Sequence, residues 1–255
     1  MIYDLQKASV LKRIAAGIFD IILTVIIAVG VITLLSVIFK YDSMNAELNS
    51  YYDTYAELYG IDFRKVTQEM YESYTQAEQQ HYQAIYKQLC EDKGFLKVYN
   101  LVINVTVLMI TFGFLIGTLI IEFVVPLILK DGQTVGKKCF GICVMHQNGV
   151  RIKNMPLLVR ALLGKFTIEI MIPVYIGIMF IFGSITILQI FILLVLLVVQ
   201  AVMLITNRYN ALIHDAMSFT VVVDKESQMI FENEEELIKY KEQKAAEQEK
   251  NIKTF

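Results

Sequence analysis

Four residues with chemistry to offer interrupt runs that otherwise carry apolar side chains. Asp20 stands seven residues after Arg13 in the stretch KRIAAGIFDIILTVIIAVG, and Glu122 stands eight residues before Lys130. Glu169 comes one turn after Lys165, and Gln200 precedes Arg208 by eight residues. At a rise of about 1.5 Å per helical residue, Asp20 lies about 10 Å beyond Arg13. An ionisable side chain in hydrocarbon costs roughly 2.5–3.5 kcal/mol on insertion scales, so such groups should turn inward and meet one another. Clustered carboxylates in a low dielectric can trade a proton for a monovalent cation, which points to a proton- or cation-linked path. The competing reading is mechanical: Arg13 with Asp20, and Lys165 with Glu169, would be ion pairs that lock helices together and move nothing.

Two of the carboxylates share a second feature. Glu122 opens EFVVP and Glu169 opens EIMIP. Proline has no N–H, so the carbonyl four residues earlier loses its helical partner, and in both cases that carbonyl belongs to the glutamate. A carboxylate beside a freed backbone oxygen is the ligand type hard cations prefer. Gly113 and Gly117 form a GxxxG pair that would let a neighbouring helix pack closely.

The elements that must position these residues follow from composition. Of the 255 residues 56% are hydrophobic, with a mean hydropathy of +0.52, too apolar for an ordinary soluble domain. The net charge of −2 says little by itself. Runs at 14–39 and 98–129 are each long enough to cross a hydrocarbon core of about 30 Å, and 166–206 is too long for one span. Broken at Phe182-Gly183-Ser184, it yields two. The expected organisation is therefore an all-α membrane protein with four transmembrane helices, at 1–39 with the N-terminus, 98–129, 166–182 and 185–206.

Orientation follows the basic residues. Lys7, Lys12 and Arg13 precede the first helix, and 130–165 carries seven bases and one acid, Asp131. Segment 40–97 carries six bases and ten acids. Both termini are thus expected inside, with an extracytoplasmic insertion at 40–97, a cytoplasmic basic loop at 130–165, an HD motif and short strand at 207–225, and a charged cytoplasmic tail at 226–255. The apolar core of the first helix is too long for a signal peptide and lacks a cleavage site, so it is expected to be retained. Cys90, Cys139 and Cys143 are odd in number and lack zinc-site spacing, so they read as free thiols.

The insertion holds nine tyrosines. Tyr51, Tyr55 and Tyr59 recur every fourth residue, and a second periodic run follows Gly60-Ile61-Asp62, with Asp62 the expected N-cap and Gly94 the expected stop. Two amphipathic helices folded together fit this pattern, the tyrosines either filling the hairpin or forming a partner surface. In the basic loop, Asn148-Gly149 between ICVMH and VRI signals a two-residue β-hairpin, which a strand at 219–223 could join. Gly132 to Lys138 only superficially suggests a phosphate loop, since the glycine spacing is short and Lys138 stands where Ser or Thr is needed. No nucleotide or nucleic acid is expected. Lys130, Lys137, Lys138, Arg151 and Lys153 are expected to face anionic lipid headgroups. The tail has helical pairings, Glu235 with Lys239 and Glu249 with Lys253, and reads as a solvated helix.

LKRIAAGIFD, GQTVGKKCFGICV and ALIHDAMSFTVVV, in that order, resemble the signatures of the RDD family of bacterial membrane proteins, over roughly residues 8–39 and 98–224. The resemblance maps the family's arginine to Arg13 and its aspartates to Asp20 and Asp215, the latter in the pair with His214. It maps the basic loop to Gly132, Thr134, Gly136 and Lys137, and the glutamate that often precedes that loop to Glu122. Segment 40–97 looks like an insertion. The resemblance implies a bacterial inner-membrane location and a role in transport.

Arg13 and Asp20 share one face of the first helix, since seven residues nearly complete two turns. Asp215 follows the fourth span near where Arg13 should emerge, so a bridge there would close the bundle. His214 would add pH sensitivity, its ordinary pKa being about 6.5, although a lone histidine is more often structural. The leading expectation is transport by a path through Asp20, Glu122, Glu169 and Gln200. The rival is a non-transporting scaffold that docks a partner through the tyrosine-rich segment. An enzyme is not expected, because the chain has neither HExxH nor GxSxG, and no cofactor or resident metal is implied. Four helices are few for a carrier, which suggests a homodimer.

Overall fold

A computed structural model describes residues 4–181 and 183–253, with side chains as far as residue 247. Of the expected break at Phe182-Gly183-Ser184, Phe182 lies outside the described residues, as does the Glu249–Lys253 side-chain pairing; Gly183 turns through φ 64°.

Four helices are long and apolar enough to cross a membrane: α1 at Val10–Ile38, α5 at Lys93–Leu129, α7 at Asn154–Ile181 and α8 at Ile187–Thr206. Their outward faces require an apolar solvent. On α8 no residue is buried, and Ile187, Leu188 and Leu197 are 86%, 64% and 61% exposed. Contiguous apolar surface of that extent is not tolerated in water. Shorter elements complete the chain: α2 at Tyr41–Tyr59, α3 at Gln68–Ser73, α4 at Gln76–Glu91, α6 at Val135–Cys139, β1 at Ile142–His146, α9 at Ile213–Met217, β2 at Thr220–Asp224 and α10 at Glu234–Lys253.

The chain divides into two compact units, Val29–Gly113 and the remainder, Met1–Ala28 with Phe114–Phe255. In the first, Leu48, Tyr55, Ile85, Leu89, Phe95, Val98 and Val102 form the core, with Tyr41, Tyr51, Tyr52, Tyr59 and Tyr99 packed against it. Many of the tyrosines are thus hairpin filling with their hydroxyls at the margin; that of Tyr41 lies 2.9 Å from Thr106 Oγ1. The expected caps are displaced. Thr75 closes a capping box with Glu78 at the start of α4, while Asp62 binds Arg64 instead. Gly94 lies inside α5, whose first turn is capped by Asp92 Oδ1, accepting from the amides of Gly94 and Phe95.

In the second unit, β1 and β2 pair antiparallel, Cys143 opposite Val223 and Val144 opposite Val222. The Asn148-Gly149 turn forms, with Gly149 at φ 91° and its amide bonded to the His146 carbonyl. Its return limb meets β1 through an isolated bridge, Met145 to Arg151, and bridges Phe231 through Val150. The principal partner is the strand following α8, which starts at Thr220 because Phe219 turns through φ 53°. Alternation buries both faces of this small sheet. Ile142, Val144 and Val222 pack with Ala16, and Phe123 rests on that cluster. Cys143, Met145, Val221 and Val223 form the other face. Burial first of all pushes the Cys143 thiol up to about 12, leaving it unreactive. Residues before α1 lie along β2, the Ala8 amide bonding the Val222 carbonyl at 3.1 Å. The tail is not purely solvated, since Leu237 packs with Val150 and Phe231.

Candidate functional site

Pro126 and Pro173 each follow a π-helical stretch. α5 widens into a π-helical turn over Ile120–Val124, just before Pro126, and α7 does so over Arg160–Met171, just before Pro173. A missing N–H favours such a wider turn, which re-aims the side chains it carries. Glu122, in the first π segment, is 3% exposed. The second segment carries Arg160, Lys165 and Glu169. α7 starts at Asn154, well before the expected 166, so Arg160 and Lys165 belong to the helix and not to the preceding loop.

α1 supplies a stripe of buried residues, Arg13, Ala16, Asp20, Thr24 and Ala28, at helical spacing. Small residues let other elements approach it. A Cβ on Gly136 would collide with the Ala16 carbonyl and come within 2.9 Å of Asp20 Oδ1, and one on Gly117 would lie 2.8 Å from the Thr24 carbonyl. The Gly136 amide can therefore donate to Asp20 Oδ1 at 2.8 Å. Thr134 both caps α6, accepting from the Lys137 amide at 3.2 Å, and donates to Asp20 Oδ2 at 2.5 Å. Gly132 sits at φ 60°, where a Cβ would also strike the Val144 carbonyl at 2.8 Å.

From Asp20 the charges alternate. Lys137 Nζ lies 3.6 Å from Asp20 and 3.4 Å from Glu122. Lys165 Nζ lies 3.2 Å from Glu122, and Arg160 Nη1 lies 3.8 Å from the same carboxylate. Arg160 Nη2 reaches Asp215 Oδ1 at 3.2 Å, and Arg13 Nη2 reaches Asp215 Oδ2 at 2.7 Å. The other Arg13 fork nitrogen donates to the Asn210 carbonyl. His214 places Nε2 3.4 Å from Asp215 and Nδ1 2.6 Å from Glu169. Gln200 donates to Glu169 at 2.7 Å and accepts from the Ile213 amide at 3.3 Å.

The structure thus brings Asp20, Glu122, Glu169 and Gln200 into one network with Arg13, Thr134, Gly136, Lys137, His214 and Asp215. No acid meets another acid directly; a cationic or imidazole side chain stands between each successive pair. Arg13 pairs with Asp215 and not with Asp20, and Lys165 pairs with Glu122 and not with Glu169. Lys137, expected at the headgroups, is instead 6% exposed. Two buried carboxylates need a counter-charge more than the lipid surface does. Burial lowers its pKa, as do Arg160 and Lys165, against the opposing pull of Glu122 and Asp20. Among the other lysines of that expectation, Lys130, Lys138 and Lys153 are exposed. Arg151 is drawn onto Asp131 at 2.8 Å and Glu232 at 2.5 Å.

A model of the RDD family matches residues 7–219. The chain belongs to the RDD family. No curated protein and no solved structure matches it. The RDD match spans all the network residues, and runs on either side of segment 40–97 as well as through it.

Arg160 was not foreseen. The four network acids need four bases, and the sequence offered a signal in the surplus of basic residues between 130 and 165, three of which turn inward. Four acids, Asp20, Glu122, Glu169 and Asp215, stand against Arg13, Lys137, Arg160 and Lys165, so the network balances with His214 neutral. Burial would raise the Asp215 carboxyl, but His214, Arg160 and Arg13 outweigh it and hold the group below its ordinary value. For His214 burial wins: its pKa falls below 6.5 even though Glu169 and Asp215 favour its cation. Arg160 Nη1 is buried without a hydrogen-bond partner, a deficit of about 1–3 kcal/mol.

Beside this network lies a cavity of about 450 Å³. Arg13, Lys137, Arg160, Lys165, Glu169 and His214 provide its polar lining, and α1 and α8 provide apolar walls.

Proposed function

We propose that this RDD protein is a proton-linked transport protein of the bacterial cell membrane, with both termini inside, and that its exchangeable proton resides on the Glu169–His214 pair. The observation that carries the reading is the 2.6 Å contact between His214 Nδ1 and Glu169 Oε1 in the wall of a cavity. Among the described residues, Glu169 is the one acid of the network without a lysine or arginine nitrogen within 4.0 Å; its partners are His214 and Gln200. Its side chain is 16% exposed, against 4% for Glu122 and 0% for Asp215.

A neutral imidazole has one N–H. If Nδ1 donates to Glu169, Nε2 turns a lone pair toward Asp215 at 3.4 Å. One added proton supplies the second donor, so the site has a seat for it. Asp20, Glu122 and Asp215 hold the scaffold, because lysine and arginine groups already occupy the positions a bound cation would take. Gln200, bonded to both Glu169 and the backbone of α9, links the protonation state to the position of α8 against α9.

The test is reconstitution in liposomes with a pH-sensitive dye inside, under imposed proton and monovalent-cation gradients. The wild type should move protons, and Glu169→Gln and His214→Asn should each lower the rate by at least about tenfold, as for other positioned proton carriers. A wild type that moves no protons under any of these gradients would end the proposal.

A further inference from the structure

We propose that the cavity between α1 and α8 binds one anionic phospholipid, its phosphate group on the basic floor and part of an acyl chain along the apolar walls. This goes beyond proton movement and does not depend on it.

The polar lining is one-sided. Arg13, Lys137, Arg160 and Lys165 face the cavity with a single acid, Glu169. The acids that balance these bases, Asp20, Glu122 and Asp215, do not line it. An entering group therefore meets cations backed by carboxylates. Arg160 adds a specific vacancy in bonding: Nη1 is buried with no hydrogen-bond partner, and Glu122 Oε2 at 3.8 Å is too far to serve. A phosphate oxygen satisfies such a planar donor well.

The remaining lining is hydrocarbon. Ile14, Ile18 and Ile21 from α1 face Leu197 and Leu204 from α8. Ile14, Ile18, Ile21 and Leu197 are 48%, 55%, 55% and 61% exposed. They lie on spans whose outer faces require lipid, so the cavity is continuous with the acyl region. From Ile14 to Ile21 the wall rises about 10 Å along the helix, enough to hold a length of extended chain. A soluble anion would gain the basic floor and leave these walls uncovered; a neutral lipid would do the reverse. The volume of about 450 Å³ lies within the range of about 300–1,000 Å³ usual for ligand pockets.

Gly17 makes the proposal testable without touching the charges. It lines the cavity, and a Cβ there meets nothing within 4 Å, so a larger side chain fills space that the lipid needs. Purified protein in a neutral detergent is titrated with phosphatidylglycerol, phosphatidylcholine of the same chains, and inorganic phosphate, with binding read by native mass spectrometry. The wild type should hold one phosphatidylglycerol at least about tenfold more tightly than phosphatidylcholine, a difference a single ion-paired phosphate can supply. Gly17→Leu, and Ile21→Trp should Gly17→Leu fail to fold, should lose that binding, and Gly17→Ala should keep it. Equal binding of the two lipids would overturn the proposal. So would displacement by millimolar phosphate, or undiminished binding by a folded cavity-filling variant. A wild type that binds phosphatidylglycerol as expected and moves no protons would count against the transport reading alone.

Discussion

Arg13 and Asp215 are 202 residues apart in sequence and meet at 2.7 Å, their side chains 6% and 0% exposed. The pair ties the first turn of α1 to α9, the short helix that follows α8. It is reinforced by the second fork nitrogen of Arg13 on the Asn210 carbonyl and by Arg160 on the other side of Asp215. Removing one partner leaves the other charge buried and alone, so Arg13→Ala or Asp215→Asn should cost about 3–5 kcal/mol. Thermal unfolding in detergent would read this. Arg13→Lys should recover little, because one ammonium cannot reach both acceptors.

The glycines that admit close neighbours should be intolerant of a single methyl group. At Gly164 a Cβ would collide with the Cα and Cβ of His214, and at Gly136 with the Ala16 carbonyl. Gly136→Ala and Gly164→Ala should each destabilise by about 1–3 kcal/mol, the usual cost of overpacking. Gly30→Ala and Gly177→Ala, where nothing lies within 4 Å, should be neutral or slightly stabilising in the same assay.

Acid should weaken the fold in two steps. Both His214 and Asp215 have folded pKa values below their ordinary ones, so on the acid side the unfolded chain binds more protons than the folded one. The His214 contribution is complete above about pH 6.5 and is lost as pH falls through the lowered folded value. That of Asp215 is lost only below about pH 3.9. The unfolding temperature should therefore decline on acidification below neutrality, and His214→Asn should flatten the upper part of that decline.

In the unit containing the tyrosines, Leu89 is 0% exposed and central to the helical hairpin. Leu89→Ala should cost about 2–5 kcal/mol, whereas Met70→Ala, at a residue 45% exposed, should fall within about 0.5 kcal/mol of wild type. Circular dichroism during thermal unfolding distinguishes the two.

What the sequence disclosed depended on whether periodicity or partner choice was in question. The four spans were legible from length and hydropathy, and the burial of Asp20 and Glu122 from the cost of charge in hydrocarbon. The start of α7 was hidden because Arg160 and Lys165 made 154–165 look like a polar loop; only the buried acids they serve explain them as helical core. The strand pairing was half visible. The Asn148-Gly149 turn is local and formed as its residues dictate, but the choice of β2 over the hairpin's own return limb is a tertiary matter. The pairing of Arg13 with Asp215 was legible from the place of Arg13 at the start of α1 and of Asp215 shortly after α8. That Lys137 would leave the surface was not, since the sequence does not say which of several neighbouring lysines faces in.

The most direct measurement of the central claim, that Glu169 and His214 form a proton seat inside an otherwise locked network, is a pH titration of the imidazole itself. The chain has three histidines, so nitrogen-15 labelling gives a sparse spectrum in which His214→Asn assigns the signal. His214 should titrate below 6.5, and Glu169→Gln should drive it lower still, because the glutamate favours the cation. A His214 that titrates at about 6.5 and ignores the loss of Glu169 would contradict the account.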